Sequence, residues 1–293
     1  MARYDGLKLS QDYLVNVAGH VVQAALKSSQ LTGRLKIQAE VITGEDLWPI
    51  IELMGVMAKA SQFVTWDYMT FKQNYDRGTP PVLVLLGADT ISPLPGWNCG
   101  ACGFATCGEF ARYARENRAM GQVAYGPSCN WLILDLAIAA DWACATAWQL
   151  NVDNRIQGSS GSAATMLGYL PGCSCILGLP LGPCREMVWY SREDMHHNFT
   201  YEDHLQTMFH TIPTHFLAFP GGGRPQFKAQ SRWWEEAHFH AVGQSQAAVE
   251  KMYALLEEMA EVIDRHSAAV ASRYAQTKQS TESGEAEQVE TTD

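Results

Sequence analysis

Three cysteines in a short glycine-rich stretch, with a fourth further along, are the residues of this sequence best suited to chemistry. Cys99, Cys102 and Cys107 lie within residues 98–110, and Cys129 follows in the sequence Gly-Pro-Ser-Cys. Together they form the pattern C-x2-C-x4-C-x21-C, a complete set of four thiolates for one metal centre. Short spacings let one loop supply three sulfurs, and the interleaved glycines let the backbone turn closely around a bound group. We therefore take these four cysteines as the candidate metal and cofactor ligands.

Spacing alone leaves three interpretations of this pattern open. A 4Fe–4S cluster suits a compact loop of three cysteines joined by a fourth from a distant segment. Zinc more often binds two paired Cys-x2-Cys knuckles, and this pattern has one such pair. Structural thiols without a metal would not need this spacing. The pattern favours the 4Fe–4S cluster, with zinc as the alternative.

The loop resembles the cluster loops of known iron–sulfur families. Its sequence Cys-Gly-x-Cys-Gly-x-x-x-Cys is similar to loops in the B subunit of Rnf electron-transport complexes and in the large subunit of the corrinoid iron–sulfur protein. In both families the gap to the fourth cysteine is shorter than here. Residues 10–192 show a broader resemblance to an uncharacterised prokaryotic family with a ferredoxin domain, whose Gly-Pro-x-Cys implies Cys129 as the fourth ligand. The motifs that carry this resemblance are Asn98–Cys107, Gly126–Cys129, Asp135–Ala139, Asn151–Ile156 and Leu177–Leu181.

The order of elements also resembles that of flavin-dependent nitroreductases. In those proteins an alanine-rich helix runs along a dimer interface and FMN lies between two subunits; the helix predicted for residues 131–150 would correspond to it. The resemblance implies an α+β fold, a nitroreductase-like sheet flanked by helices, with the cluster loop inserted and a helical extension at the C-terminus. The early Arg-x-Ser-x-Arg that binds the flavin phosphate is missing from this sequence. FMN is therefore a hypothesis.

Apolar patterning and composition divide the chain into five parts. Alternating and continuous apolar runs predict strands, and apolar residues three and four positions apart predict helices. Thr43, three residues before an acid, predicts a capping box at the start of one helix. The predicted parts are an α+β core (1–95 and 131–192), a 4Fe–4S insert (96–130), a His- and aromatic-rich extension (193–240), a long helix (241–277) and a disordered acidic tail (278–293).

The overall charge and the apolar runs restrict the classes of function. A net charge of −10 over 293 residues opposes the electrostatic attraction on which nucleic-acid binding depends. The first ten residues lack the apolar core of a secretory signal, and the longest apolar stretch, 131–148, is interrupted by two aspartates. We expect a cytoplasmic protein without membrane insertion, in which eight cysteines indicate metal or redox use rather than a disulfide framework.

These features predict an iron–sulfur redox protein that transfers electrons and that, with a flavin, would be a flavin-linked reductase. The expected partners are a redox protein or a small-molecule electron acceptor, in a homo-oligomer or as a subunit of a complex. The alternative is a non-enzymatic subunit of a larger complex with a structural cluster or a zinc site. The electron donor, the acceptor and any catalytic residue are not predicted.

Several other residues are weaker candidates for chemistry. In an extended strand the thiols of Cys173 and Cys175 would face the same side, although buried thiols without a redox role are the more common case. The motif Asp153-Asn154-Arg155 would hold a substrate or flavin edge, or form an internal salt bridge. The remaining candidates are Cys144, Cys184, His196, His197, His204, His210, His215, His238, His240, the loop 221–224 and the pair Trp233 and Trp234.

Overall fold

The structure is a computed structural model that describes residues 3–60, 62–92, 94–121, 124–183, 188–189 and 246–289. Seven α-helices and five strands lie within these ranges. The helices are α1 (Gly6–Leu26), α2 (Trp48–Met57), α3 (Gln62–Asp76), α4 (Cys107–Glu116), α5 (Asn130–Gln149), α6 (Gly158–Leu167) and α7 (Gln246–Val289), and a short 3-10 helix spans Gly44–Leu47. The strands are β1 (Ile37–Ile42), β2 (Val82–Ala88), β3 (Ala119–Met120), β4 (Tyr125–Gly126) and β5 (Cys175–Leu181).

The central sheet is antiparallel, with the strand order β1-β2-β5. Strand β2 is buried along its whole length, as its continuous apolar run predicts. Its side chains alternate between two cores. Val82, Val84 and Leu86 pack with α1 and α5 on one face of the sheet. Leu83 and Leu85 pack with α2, α6 and α7 on the other. The predicted α+β class is confirmed, and the likeness to a nitroreductase scaffold stays a prediction.

Helix α5 is apolar enough to resemble a membrane span, but it packs as a core helix. The helix is long and apolar enough to cross a membrane, but 44% of its most apolar stretch is buried inside the protein. The carboxylate of Asp135 is fully buried in its first half. That carboxylate accepts hydrogen bonds from the N–H groups of Leu31 and Thr32 and from the Thr32 hydroxyl, at 2.5–3.1 Å. Asp135 therefore anchors the loop after α1 to α5, and the cytoplasmic location stays a prediction.

Helix α6 lies unusually close to strand β5, because small residues face each other across the contact. A Cβ atom on Gly161 would stand 2.1 Å from the carbonyl oxygen of Ile176. On the strand side, a Cβ on Gly178 would stand 2.1 Å from the Ser160 hydroxyl oxygen. Backbone bonds between Gln157 and Gly178 hold the start of the helix against the strand. The glycines and serines of this segment thus serve packing within the core.

We predict that Gly161→Ala lowers the free energy of unfolding by about 3 kcal/mol or more, because overpacking against a rigid backbone cannot relax cheaply. The matched control is Gly19→Ala in α1, where nothing lies within 4 Å of the added methyl group. That change should raise stability by about 0.5–1 kcal/mol, the helix-interior preference for alanine. Urea unfolding followed by circular dichroism measures both. Equal effects of the two substitutions would contradict the close contact.

The C-terminal helix α7 packs across α2 and α6 on the face of the sheet away from α1 and α5. Leu255, Val262 and Val270 are its buried contacts. Arg265 and His266 both contact the carboxylate of Glu52 on α2. Further bonds join Arg273 to Asp46, and the Tyr274 hydroxyl to Glu40 and to the backbone N–H of Leu170. The helix is therefore part of the core structure rather than a separate arm.

Two expectations about element ends differ from the structure. Helix α7 continues to Val289, past residue 277, where the sequence predicts that it ends. The disorder expected for 278–293 stays a prediction, as do the other domain boundaries. The capping box predicted at Thr43 is wrong, since Thr43 precedes the 3-10 helix and makes no side-chain cap hydrogen bond. Its neighbour Gly44 has a φ of +57°, which tightens the turn into that helix.

Stability should depend on pH through Glu52. Burial by itself would raise the pKa of Glu52, but the hydrogen bond from His266 and the charge of Arg265 outweigh it and lower that pKa below 4.5. The stabilisation is therefore fully present above pH 4.5 and is lost as pH falls through the lowered pKa. We predict that Glu52→Gln removes about 1 kcal/mol or less at pH 7 and flattens this pH dependence.

Denaturant unfolding from roughly pH 3 to roughly pH 7, on both sides of the ordinary carboxyl pKa of 4.5, measures the effect. Asp12→Asn, in the exposed Lys8–Asp12 pair of α1, is the matched control. The control should leave the slope of stability against pH nearly unchanged. Identical slopes for Glu52→Gln and the unsubstituted protein would show that α7 does not depend on this carboxylate.

Candidate metal centre

The four cysteines of the predicted site line one pocket at the end of the central sheet. Cys99, Cys102, Cys107 and Cys129 all contribute to its wall, and the enclosed space between them is small, about 10 Å³. Cys129 is buried at the base and Cys99 is exposed at the rim. In the described ranges no three His, Cys, Asp or Glu side chains are grouped tightly enough to hold a single metal ion. The four thiols therefore share one pocket, but they are not arranged as a preformed set of ligands for one ion.

Backbone turns at glycine shape the loop that carries the first two cysteines. Gly100 and Gly103 have φ angles of +76° and +86°, a region that L side chains rarely adopt. The N–H of Gly103 donates to the carbonyl of Gly100 at 2.9 Å and closes the turn. Asn98 has a φ of +50°, and its side-chain oxygen accepts a hydrogen bond from the N–H of Cys107 at 2.9 Å. Asn98 thereby joins the two ends of the loop.

The third cysteine opens helix α4. Thr106 caps the helix by accepting from the N–H of Glu109, and the Glu109 carboxylate accepts from the N–H of Thr106. This is a capping box, which fixes the direction in which the helix leaves the loop. Phe110 and Ala114 bury one face of α4 beneath the pocket. Cys107, as the first helical residue, lies where the helix dipole favours negative charge.

The fourth cysteine is held by the end of the sheet. Cys129 is the N-cap of α5, and its N–H donates to the carbonyl of Thr90, two residues beyond β2, at 2.9 Å. The Thr90 hydroxyl lies 2.8 Å from the hydroxyls of Ser128 and Ser174, and the Thr90 N–H donates to Ser174. We call Thr90, Ser128 and Ser174 the hydroxyl network. It connects β2, the segment before β5 and the loop before α5 at one buried point.

Hydrogen-bond donors point at the sulfur of Cys99. The backbone N–H of Ala101, which is the largest effect, the indole Nε1–H of Trp131 and the N–H of Cys99 itself all lower the pKa of the Cys99 thiol. The Trp131 bond measures 3.2 Å from Nε1 to Sγ. Donors of this kind stabilise a thiolate and a metal bound to it. The donor set therefore fits a thiolate-bound iron–sulfur cluster.

Apart from Asn98 and Asn130, apolar residues form the rest of the wall. Phe104 and Phe110 make an edge-to-face contact with ring centroids 5.8 Å apart. Trp97 and Trp131 make another with the same separation at the rim. The core below also contains Leu35, Ile91, Leu132 and Leu136. An apolar surround of this kind restricts water and helps to set the reduction potential of a bound cluster.

The other described cysteines are buried outside the pocket wall. The Cys144 thiol donates to the side-chain oxygen of Asn154 at 2.6 Å, and burial raises its pKa. Burial also raises the pKa of Cys173 to about 12 and that of Cys175 to about 11. The expectation that Cys173 and Cys175 face the same side is wrong: Cys173 precedes β5 and packs in the α2–α6 core, whereas Cys175 packs beneath the pocket. The simpler interpretation as buried thiols agrees with this arrangement.

The motif Asp153-Asn154-Arg155 binds other parts of the same chain. One carboxylate oxygen of Asp153 accepts from the N–H groups of Val188 and Trp189 at 2.5 and 3.1 Å. The Arg155 guanidinium donates to the Trp189 carbonyl at 3.4 Å. These contacts anchor the segment after β5, which is a structural role. The candidates Cys184, His196, His197, His204, His210, His215, His238, His240, 221–224, Trp233 and Trp234 lie outside the described residues.

Comparison with known proteins yields two family matches on adjoining parts of the chain. Residues 94–119 match a family model described as a proposed Fe–S cluster. Residues 125–192 match the model of uncharacterised proteins containing a ferredoxin domain. The predicted family resemblance is confirmed. An uncharacterised protein of Archaeoglobus fulgidus is 27% identical over 172 residues, which is 59% of this chain and 88% of that protein. No solved structure matches.

Sequence reasoning missed the residues that position the cysteines. The signal for the capping box was present, since Thr106-Cys-Gly-Glu109 has the Thr-x-x-Glu pattern. Nothing in the sequence marks Trp131 as a donor to a sulfur 32 residues away. The hydroxyl network is equally invisible, because it joins residues that are 38 and 84 positions apart.

We predict a clear order of thiol reactivity in the cluster-free protein. Cys99 is exposed and its lowered pKa increases the thiolate fraction at neutral pH, so iodoacetamide should modify it first. Cys173 and Cys175 are buried with raised pKa values and should react only after unfolding. Pulsed alkylation with peptide mass spectrometry measures each site. Equal rates at Cys99 and Cys173 would contradict the exposure of the first thiol and the burial of the second.

Proposed function

We propose that this protein holds one 4Fe–4S cluster through Cys99, Cys102, Cys107 and Cys129 and transfers single electrons through it. The single observation that carries the proposal is that all four thiols line one pocket, although Cys129 comes from a different segment of the chain. A bound cluster would supply one-electron redox chemistry at the cysteine sulfurs. The chain itself supplies the ligands, the hydrogen-bond donors and the apolar surround.

The arrangement of the pocket supports electron exchange with an outside partner. Cys99 is exposed at the rim, and Trp97 beside it is 49% exposed. A redox partner protein or a small-molecule electron acceptor would therefore approach a ligand of the cluster directly. The apolar residues beneath the other cysteines keep water from the interior of the site. This combination of a shielded interior and one exposed ligand suits an electron carrier better than a purely structural metal site.

The test is anaerobic reconstitution with iron and sulfide, followed by metal and sulfide analysis and a visible spectrum. About four iron and four sulfide per chain are expected for a 4Fe–4S cluster, with absorption that bleaches on reduction and returns on oxidation. Cys129→Ser should lose most of the iron and sulfide, because the fourth thiolate is removed. Cys144→Ser is the matched control, since it keeps a donor to Asn154 and lies outside the pocket wall.

Zinc without sulfide would overturn the proposal, and so would a Cys129→Ser variant with full iron and sulfide. A bound flavin, visible in the same spectrum, would support the hypothesis of a flavin-linked reductase containing FMN. The spectrum identifies a cluster or a flavin, and the metal and sulfide analysis identifies zinc, which has no visible absorption.

A second candidate function is that of a non-enzymatic subunit of a larger complex with a structural cluster or zinc site. The observation that favours it is the exposure of several large apolar side chains on α1 and α5. Leu7 and Tyr13 on α1, and Leu134 and Trp142 on α5, are 42–57% exposed. Exposed apolar residues on adjacent helices are typical of a contact with another protein or another copy. A cluster that cannot be reduced reversibly would favour this alternative over electron transfer.

A further inference from the structure

The indole of Trp131 is placed by its own helix to act on a cysteine from another segment. It is the second residue of α5, two positions after Cys129, and its Nε1–H donates to the sulfur of Cys99 at 3.2 Å. The start of α5 thus carries one cysteine of the site and a hydrogen-bond donor to a second one. Nothing in the proposed ligand set requires this donor.

Two contacts hold the indole in this position. The side-chain amide of Asn130 donates to the carbonyl of Ala101 at 2.5 Å, which ties the start of α5 to the turn between Cys99 and Cys102. The ring of Trp97 meets the ring of Trp131 at an interplanar angle of 67°. The hydrogen bond of Asn130 fixes the backbone at the start of α5, and the contact with Trp97 fixes the ring of Trp131. The N–H···S bond is therefore built into the site rather than a chance approach of a surface side chain.

The chemistry of the bond gives it a definite direction. Reduction adds negative charge, part of which resides on the cysteine sulfurs, so an N–H donor stabilises the reduced state more than the oxidised state. Trp97 makes no hydrogen bond to sulfur that the structure describes; it shields the same edge of the site by packing. Substitution of Trp131 therefore tests the effect of the hydrogen bond, and substitution of Trp97 tests the effect of shielding alone.

We propose that Trp131 is a positioning residue that raises the reduction potential of the cluster through its hydrogen bond to Cys99. This inference rests on the proposed function, since it requires a bound cluster. The change in reduction potential should come from the N–H donor of Trp131 and not from the size of its ring. Removal of the N–H should lower the potential while the cluster itself remains.

The experiment compares Trp131→Phe with Trp97→Phe in the full-length reconstituted protein. Trp131→Phe should keep its iron and sulfide and change the one-electron reduction equilibrium about tenfold, a fall in potential of ~59 mV. Trp97→Phe, the matched aromatic control, should shift the potential by much less. A second readout is the magnetic coupling of an exchangeable proton to the reduced cluster, measured in H₂O and D₂O. The part of that coupling that comes from the indole N–H should disappear in Trp131→Phe, while the coupling to the backbone N–H of Ala101 remains. Both parts should persist in Trp97→Phe.

The possible results separate this inference from the proposed function. If the unsubstituted protein takes up no iron and sulfide, or holds a cluster that cannot be reduced reversibly, both fail. If it holds a reducible cluster and Trp131→Phe leaves the potential unchanged, the inference alone fails. Equal shifts in the two variants would also overturn it, because they would point to shielding.

A further measurement covers the case in which Trp131→Phe does not retain the cluster. Protein containing 5-fluorotryptophan keeps every ring, and the fluorine makes each indole N–H a stronger donor. The potential should then rise, in the direction opposite to that of the phenylalanine variant. An unchanged or lower potential in the fluorinated protein would overturn the inference, because the substitution changes the side-chain volume only slightly.

Discussion

The hydroxyl network of Thr90, Ser128 and Ser174 is the constraint on which the arrangement of the site depends. Thr90 and Ser174 are fully buried, and every bond among the three side chains measures 2.8 Å. Buried hydroxyls need hydrogen-bond partners inside the protein, and these three bond to one another and to the carbonyls of Tyr125 and Ala88, so their positions are strongly coupled. Because the Thr90 carbonyl also binds the N–H of Cys129, the geometry of the sheet determines where the fourth cysteine stands. The cysteine loop is then completed by local turns.

The parts of the fold that were predictable are those encoded within a few residues. The continuous apolar run of β2 and the alternating pattern of β1 depend on neighbouring residues in the chain, and both strands are present. The C-cap of α6 at Gly168, with a φ of +87°, is of the same kind, because a glycine directly after the last helical residue is a local signal. The cysteine spacing likewise identified the four residues that share a pocket. Such features need no knowledge of distant contacts.

The parts that could not be predicted depend on contacts between distant segments. Trp131 and Cys99 meet because the loop and α5 pack on a common core, and Tyr274 reaches Glu40 across more than 200 positions. The capping box at Thr106 was predictable in principle, whereas the similar pattern at Thr43 forms no cap. A short sequence pattern can thus be present while the surrounding turn prevents the hydrogen bonds that it predicts. Cys173 and Cys175 show the same limit, because their separation into two cores depends on where β5 begins.

Helix α5 links the site to the rest of the domain, since its N-terminus carries Cys129 and its body packs against α1 and the sheet. Binding and folding therefore share a thermodynamic cycle. Any group that binds the folded pocket but not the unfolded chain stabilises the domain by the same free energy with which the folded domain favours binding. Loss of that group would lower the melting temperature of the entire α1–α5 layer. Equally, a substitution deep in that layer, far from any sulfur, would weaken retention of the bound group.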